Sequence, residues 1–155
     1  NPAVTEECNG YDDDCDGEAD SSRVCPCDVE YYDGDTDHPY MFCLDSLDWS
    51  DARSSCDDYG YHLLTIDDSS ENAWVDDTAD NLSTSEWWIG LNDRVTEGTF
   101  EWEDATPLSY TAWYSGEPND YGSGEDCTQI NFFHPSQTWN DKICTDTIYF
   151  ICEVW

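Results

Sequence analysis

The chain has 155 residues, 37 of them Asp or Glu and only four Lys or Arg (Arg23, Arg53, Arg94, Lys142), for a formal net charge of −33. A surface of that sign repels phosphate backbones and anionic bilayers, which excludes nucleic acid and acidic membranes as partners. No apolar run approaches the ~18 residues of a membrane span, so no membrane insertion is expected, and the length suits one domain with a short appendage. Eight Trp and ten Tyr exclude wholesale disorder despite the charge. Nine cysteines in so short a chain indicate an oxidising, extracellular or cell-surface setting. Asp outnumbers Glu by 25 to 12, which suits turns and oxygen-rich metal loops better than helices.

Residues 1–26 differ from the rest. Asp12, Asp14 and Asp16 alternate, followed by Gly17 and Asp20, in the manner of the first half of an EF-hand loop without its flanking helices. All-oxygen ligands favour calcium there over copper, which would want thioether or imidazole. The segment resembles the MopE-type metal-binding repeat found in large bacterial surface proteins; the alternative is an acidic, disulfide-closed linker. Cys8, Cys15 and Cys25 leave one thiol over, their pairing is open, and Cys25 is a candidate for the free or intermolecular one.

From residue 27 onward the pattern reads as α+β. Asp33 to Asp37 repeats the Asp alternation and is read as a hydrophilic hairpin turn. Asp48 with Asp51 can cap a helix whose Trp49, Ala52, Cys56 and Tyr59 share one face. Asp68 and Glu71 make a capping-box pattern ahead of a second helix carrying Trp74, Thr78 and Leu82. Strand signals lie at 40–44, 87–91, 127–133, 138–144 and 148–154, rich in β-branched and aromatic residues. Between Asn92 and Asp126 runs a long stretch with little regular pattern, the kind of loop that usually carries function.

That loop and the strand after it hold Glu117-Pro118-Asn119, Glu125-Asp126-Cys127 and Trp139-Asn140-Asp141. Calcium takes six to eight hard oxygens at ~2.3–2.6 Å. Glu117, Asn119, Glu125 and Asn140 each offer a side-chain oxygen, and Asp141 adds its carboxylate and carbonyl, which leaves two positions for a ligand. A metal-bound sugar hydroxyl can donate to a Glu oxygen and accept from an Asn amide. The pairs 117/119 and 125/140 therefore match two vicinal hydroxyls, and a cis bond before Pro118 would face Glu117 and Asn119 toward one point.

At these residues the chain resembles the C-type lectin-like domain, in particular its calcium-dependent, mannose-type members. The resemblance runs from about Cys27 to Trp155 and includes Trp49, Ala52, Cys56, Gly60, Leu63, Ile66, Trp88-Ile89-Gly90-Leu91, Cys144 and Cys152. It implies a fold of two helices with small antiparallel sheets and a long calcium-ordered loop. It also implies disulfides Cys56–Cys152, Cys127–Cys144 and Cys27–Cys43. In the family the Glu-Pro-Asn order goes with mannose, fucose and N-acetylglucosamine, whose 3- and 4-hydroxyls are both equatorial, and Gln-Pro-Asp with galactose. An auxiliary calcium site carries over onto Asp93, Glu97, Asp120 and Asp126 with the Glu125 carbonyl, and Tyr121 lies beside the sugar.

The expected protein is thus a secreted or cell-surface module that binds mannose-type glycans for adhesion or recognition. It would carry two calcium ions in residues 27–155 and a third in residues 1–26. The alternative is a calcium-stabilised protein-binding or surface-layer building block, as a homo-oligomer or part of a larger surface protein. No enzymatic activity is expected, because carboxylates engaged by calcium are poor general acids for glycoside hydrolysis. His38, His62 and His134 lack metal-ligand spacing, and Trp87, Trp88, Trp102 and Trp139 read as core.

Overall fold

A computed structural model describes residues 7–15, 17, 19–20, 25–32, 38–122, 124–131 and 137–154. Asp16, the 33–37 turn, His134 and the end of the strand expected over 127–133 lie outside the described residues. Strands β1 (Asp28–Tyr31) and β2 (Pro39–Leu47) precede helix α1 (Trp49–Asp58). Strand β3 (Tyr61–Leu63), helix α2 (Ser69–Leu82), strands β4 (Trp87–Asn92) and β5 (Glu101–Trp102) follow, then β6 (Cys127–Ile130), β7 (Trp139–Lys142) and β8 (Ile148–Val154). No helix among the described residues is long and apolar enough to cross a membrane.

The strands form one mixed sheet in the order β1-β2-β8-β4-β6-β7, with β3 added to β8 and β5 to β4. The expected antiparallel pairing holds for every pair of named strands except β4 with β8, whose parallel pairing at Trp87↔Tyr149 and Trp88↔Phe150 joins the two halves into one mixed sheet. Alternate residues of a strand face opposite ways. Trp88, Phe150 and Cys152 accordingly pack with Trp49, Ala52 and Cys56 of α1, while Trp87, Ile89 and Ile151 pack with Val75 and Ala79 of α2. Gly90 is what lets β4 run past the chain at Leu63: a Cβ there would stand 2.7 Å from the Leu63 carbonyl oxygen.

Helix α1 starts as its sequence requires, with the Asp48 carboxylate accepting the Asp51 N–H at 2.9 Å. Its buried face is Trp49, Ala52 and Cys56, and Tyr59, the C-cap residue, packs half-buried against the same core. At α2 the Asp68 carboxylate takes the Ser70 and Glu71 N–H groups, but Glu71 returns its bond to the N–H of Asp67, one residue upstream of a reciprocal capping box. The helix carries Trp74, Thr78 and Leu82 as expected; its buried residues are Glu71, Asn72, Val75, Asp76 and Ala79, with Trp74 and Leu82 half-buried against the same core. Asn72 is drawn inward because its amide oxygen accepts the Trp139 indole N–H at 2.7 Å, and Glu71 because the Tyr40 hydroxyl donates to it at 2.9 Å.

Four disulfides staple this frame: Cys8–Cys25, Cys27–Cys43, Cys56–Cys152 and Cys127–Cys144. The cysteine left over is Cys15, which is exposed, and not Cys25, which is buried and bonded. Cys56–Cys152 closes a separation of 96 residues, a loop for which chain entropy gives about 4 kcal/mol.

The N-terminal segment docks through Asp20, whose carboxylate is 1% exposed. It accepts the Gly10 N–H at 2.8 Å, the Asn9 N–H at 3.2 Å and the Tyr61 hydroxyl, while its carbonyl accepts the Tyr31 hydroxyl. Gly10 lies so close to β8 that a Cβ on it would meet Val154 Cγ2 at 2.3 Å. Removing one donor from a buried carboxylate leaves it under-bonded, so Tyr61→Phe is expected to lower stability by about 1–3 kcal/mol in denaturant unfolding. Loss of less than half a kcal/mol would remove Asp20 from the list of anchors.

Burial pushes the Glu71 carboxyl up to about 7, the Glu153 charge adds to the rise, and the Asp67 N–H and Tyr40 hydroxyl oppose it. The folded state therefore holds the Glu71 proton more tightly than the unfolded chain, and its stabilising contribution, full below ~4.5, is lost as pH rises through about 7. Measured in EDTA, Glu71→Gln should match the wild type at pH 5 and exceed it in melting temperature at pH 8.

Candidate functional site

The long loop hangs between two pairs of strands. It begins as the turn of the β4–β5 hairpin, paired at Leu91↔Trp102 and Asn92↔Glu101. It returns at β6, whose partner β7 carries Asn140 opposite Gln129 and Asp141 opposite Thr128. The Cys127–Cys144 bond ties that hairpin next to the site. Trp139 fixes β7 from below: it is wholly buried, it donates its indole N–H to Asn72, and Trp102, Tyr110 and Trp113 meet its ring edge-on at 5.7–5.8 Å. Its backbone N–H and carbonyl also bond Ala112 and Tyr114 at 2.8 Å, which carries the loop segment before Glu117 onto the same strand.

Two carboxylate groupings result. In the first, the Asp141 side chain, 1% exposed, accepts the backbone N–H of Asn119 at 2.9 Å and of Asp120 at 2.7 Å, so β7 holds the turn after Pro118 in place. The Glu117–Pro118 bond is cis, as the sequence leads one to expect. The Asn119 amide donates to Glu117 Oε2, and the Asn140 amide contacts the Asp141 carbonyl. Glu125 accepts the Tyr121 N–H at 2.9 Å, and the Tyr121 side chain stands out into solvent, 78% exposed.

In the second, one carboxylate oxygen from each of Glu97, Asp120 and Asp126 lies within 4.8 Å of the others. Asp93 joins them through its N–H to the Asp126 carbonyl at 3.1 Å. Its Oδ2 accepts the Gly98 N–H at 2.8 Å, whereas its Oδ1 is buried with no hydrogen-bond partner. A buried, ionised oxygen without a donor is costly. Asp93, Glu97, Asp120 and Asp141 also line one cleft of ≈ 240 Å³ between the groupings.

Electrostatics agree with the geometry. Burial raises the Glu117 carboxyl, and the neighbouring Asp141 and Glu125 carboxylates raise it further. Glu125 is raised by burial and by Asp141 and Asp120, against the Tyr121 N–H and Lys142. Asp93 is raised by burial and by Asp126 and Asp141, against the Gly98 N–H, and Glu97 by desolvation within the loop and by Asp93, Asp120 and Asp126. An all-oxygen, multiply anionic donor set with an unpartnered buried oxygen fits a hard divalent cation, calcium above all.

The N-terminal carboxylates behave otherwise. Among the described residues Asp12, Asp14 and Asp20 do not converge as a ligand group. Asp12 accepts the Gly17 N–H at 3.0 Å, and Asp20 faces inward as the anchor described above. Asp20 does approach Cys8 and Cys25, but their sulfurs are joined in a disulfide and offer no thiolate. Asp20 as anchor and Asp141 as organiser of two backbone N–H groups were not legible as such. Their signal is a Tyr or a turn far away in sequence.

A family model for the lectin C-type domain matches residues 45–154. The chain belongs to the C-type lectin domain family. Echinoidin of Heliocidaris crassispina is 35% identical over 130 residues, covering 74% of this chain and 88% of echinoidin. The hepatic lectin of Gallus gallus is 36% identical over 139 residues, covering 85% of this chain and 63% of that protein, so the chain spans less than two thirds of the latter's length. Among solved structures, the cow C-type carbohydrate-recognition domain of CD23, determined in the presence of a GlcNAc2Man3 oligosaccharide, has a TM-score of 0.71 at 32% identity. That match covers 84% of this chain and 95% of the CD23 domain. Domains of this family are non-enzymatic binding modules and are calcium-dependent in general.

Opposite pH responses are expected with and without the ion. The raised carboxyls bind protons better in the folded, ion-free loop, so in EDTA the loop should gain order as pH falls from 7.5 toward 5. With calcium present, protons compete with the ion and the loop should lose order over the same range. Hydrogen exchange of residues 93–126, corrected for intrinsic rates, reads both; the same sign in both conditions would contradict the cation-ordered loop.

Proposed function

We propose that this chain is a calcium-dependent carbohydrate-binding module for mannose-type glycans, secreted or displayed at a cell surface. One calcium ion is held by Glu117, Asn119, Glu125, Asn140 and Asp141, and its two remaining positions take adjacent equatorial hydroxyls of mannose, fucose or N-acetylglucosamine. A second, structural ion is held by Asp93, Glu97, Asp120 and Asp126. The observation that carries this reading is the arrangement on β7: Asp141 seats Asn119 and Asp120 by their backbone N–H groups, and the Glu117 carboxylate and Asn119 amide lie side by side. A carboxylate acceptor beside an amide donor is the complement of a hydroxyl that both donates and accepts. Tyr121, exposed at the edge of the same loop, packs its ring against sugar C–H groups. The name of the hepatic lectin and the oligosaccharide in the CD23 structure support a sugar ligand.

A single shallow site of this kind binds weakly, and ~1 mM corresponds to about −4 kcal/mol. Adhesion or recognition of a repetitive glycan then depends on several copies acting together. Exposed Cys15, the one cysteine outside a disulfide, favours a second role as a covalently linked building block of a larger surface assembly.

Calorimetric titration of methyl mannoside and methyl galactoside, each with calcium and with excess EDTA, tests the reading. Heat with mannoside in calcium alone is expected. Glu117→Gln with Asn119→Asp should move the preference to galactoside; retention of mannoside preference by that double variant would refute the primary site.

A further inference from the structure

Two of the chain's four basic residues link helix α1 to the β4–β5 hairpin, Arg94 reaching from the hairpin to the helix and Arg53 from the helix to the hairpin. Arg94 leaves the turn of the β4–β5 hairpin between Asp93 and Glu97, and its guanidinium lies 5.0 Å over the ring of Trp49, the first residue of α1. Trp49 is itself wholly buried and locked, donating its indole N–H to the Ile89 carbonyl of β4 at 2.9 Å. One turn along the helix, Arg53 pairs with Glu103, just past β5, as well as with Asp57 at 3.9 Å. Glu103 is fixed in turn by its N–H to the Gly90 carbonyl at 3.0 Å. Burial raises the Glu103 carboxyl, and the charges of Arg53, Arg94 and His62 act against that rise. Within the turn the Asp93 carboxylate accepts the Gly98 N–H, but the outer side chains are free of the frame: Val95 is 86% exposed and Glu97 is exposed.

Charge alone makes Arg94 the wrong residue for this place. A guanidinium next to a cation site repels the cation, so neutralising it should tighten calcium. Its contact with a rigid aromatic face is the property that suits the position, because a planar guanidinium stacks on the ring as well as attracting it, whereas Lys offers only a strongly hydrated point charge. We propose that Arg94, supported by the Arg53–Glu103 pair, is a positioning residue that presets Asp93 and Glu97 for calcium. The proposal rests on the calcium reading of that grouping given above.

The two effects have opposite signs, which makes the test decisive. Calcium titrations by calorimetry would compare the full chain with Arg94→Met, Arg94→Lys and Asp93→Asn, and hydrogen exchange of residues 94–99 would be followed in EDTA. Arg94→Met is expected to weaken the calcium step that Asp93→Asn removes by about two- to fivefold, with Arg94→Lys also weakened, and to speed exchange at 94–99 without any ion. Tighter or unchanged calcium binding by Arg94→Met, with unchanged exchange, would overturn the bracing while leaving the calcium site intact. If Asp93→Asn leaves calcium binding unaltered, the calcium reading of this grouping fails and the proposal falls with it.

Discussion

Carboxylates brought close together on a loop whose basic neighbours are only Arg94 and Lys142 set the terms for the rest of this molecule. Glu117, Glu125, Asp141, Asp93, Glu97, Asp120 and Asp126 sit on two strand ends and the loop between them, and those whose carboxyls shift are all raised, by burial together with one another's charge. The chain has few cations to relieve them. Lys142 is engaged with Glu86 and Asp146, and Arg53 with Glu103 and Asp57. A divalent ion would supply the missing charge in the least space, and its demand for six to eight oxygens is what such a loop can meet. On the proposed calcium reading, ion binding and loop order are one equilibrium.

The frame keeps that repulsion from spreading. Six of the eight bonded cysteines lie in residues 27–155, and Cys127–Cys144 closes the hairpin that bears Asn140 and Asp141. Trp139 carries the load from below, since its indole bond to Asn72 and its three aromatic neighbours leave β7 one register against α2 and the loop. Asp141 then converts a rigid strand into a rigid loop, because a carboxylate that accepts two consecutive backbone N–H groups fixes the turn they belong to. Function lives at the end of this chain of supports, on residues that by themselves are exposed and polar.

Much of this was legible in the sequence because its causes are local. Asp48 and Asp68 cap their helices as side chains three residues from the N–H groups they accept, the aromatic and β-branched runs became strands, and the cis bond fell at Pro118. Three disulfides followed the resemblance. What was missed depends on contacts distant in sequence. The short strands β1, β3 and β5 have too few residues to show a period and exist by pairing with β2, β8 and β4. The inward turn of α2 was invisible because polar Asn72 and Glu71 are buried by partners 67 and 31 residues away. Asp20 read as a ligand among other aspartates, and only the approach of Tyr61 and the Gly10 N–H makes it an anchor. Cysteine pairing in the first segment had no local signal at all.

The most direct test of the central claim is a crystal structure grown with calcium chloride and methyl mannoside. The account predicts an ion among Glu117, Asn119, Glu125, Asn140 and Asp141 with two sugar hydroxyls completing its shell, and a second ion on Asp93, Glu97, Asp120 and Asp126. A well-ordered loop with no ion at Glu117 and Glu125, or a sugar bound away from them, would contradict it.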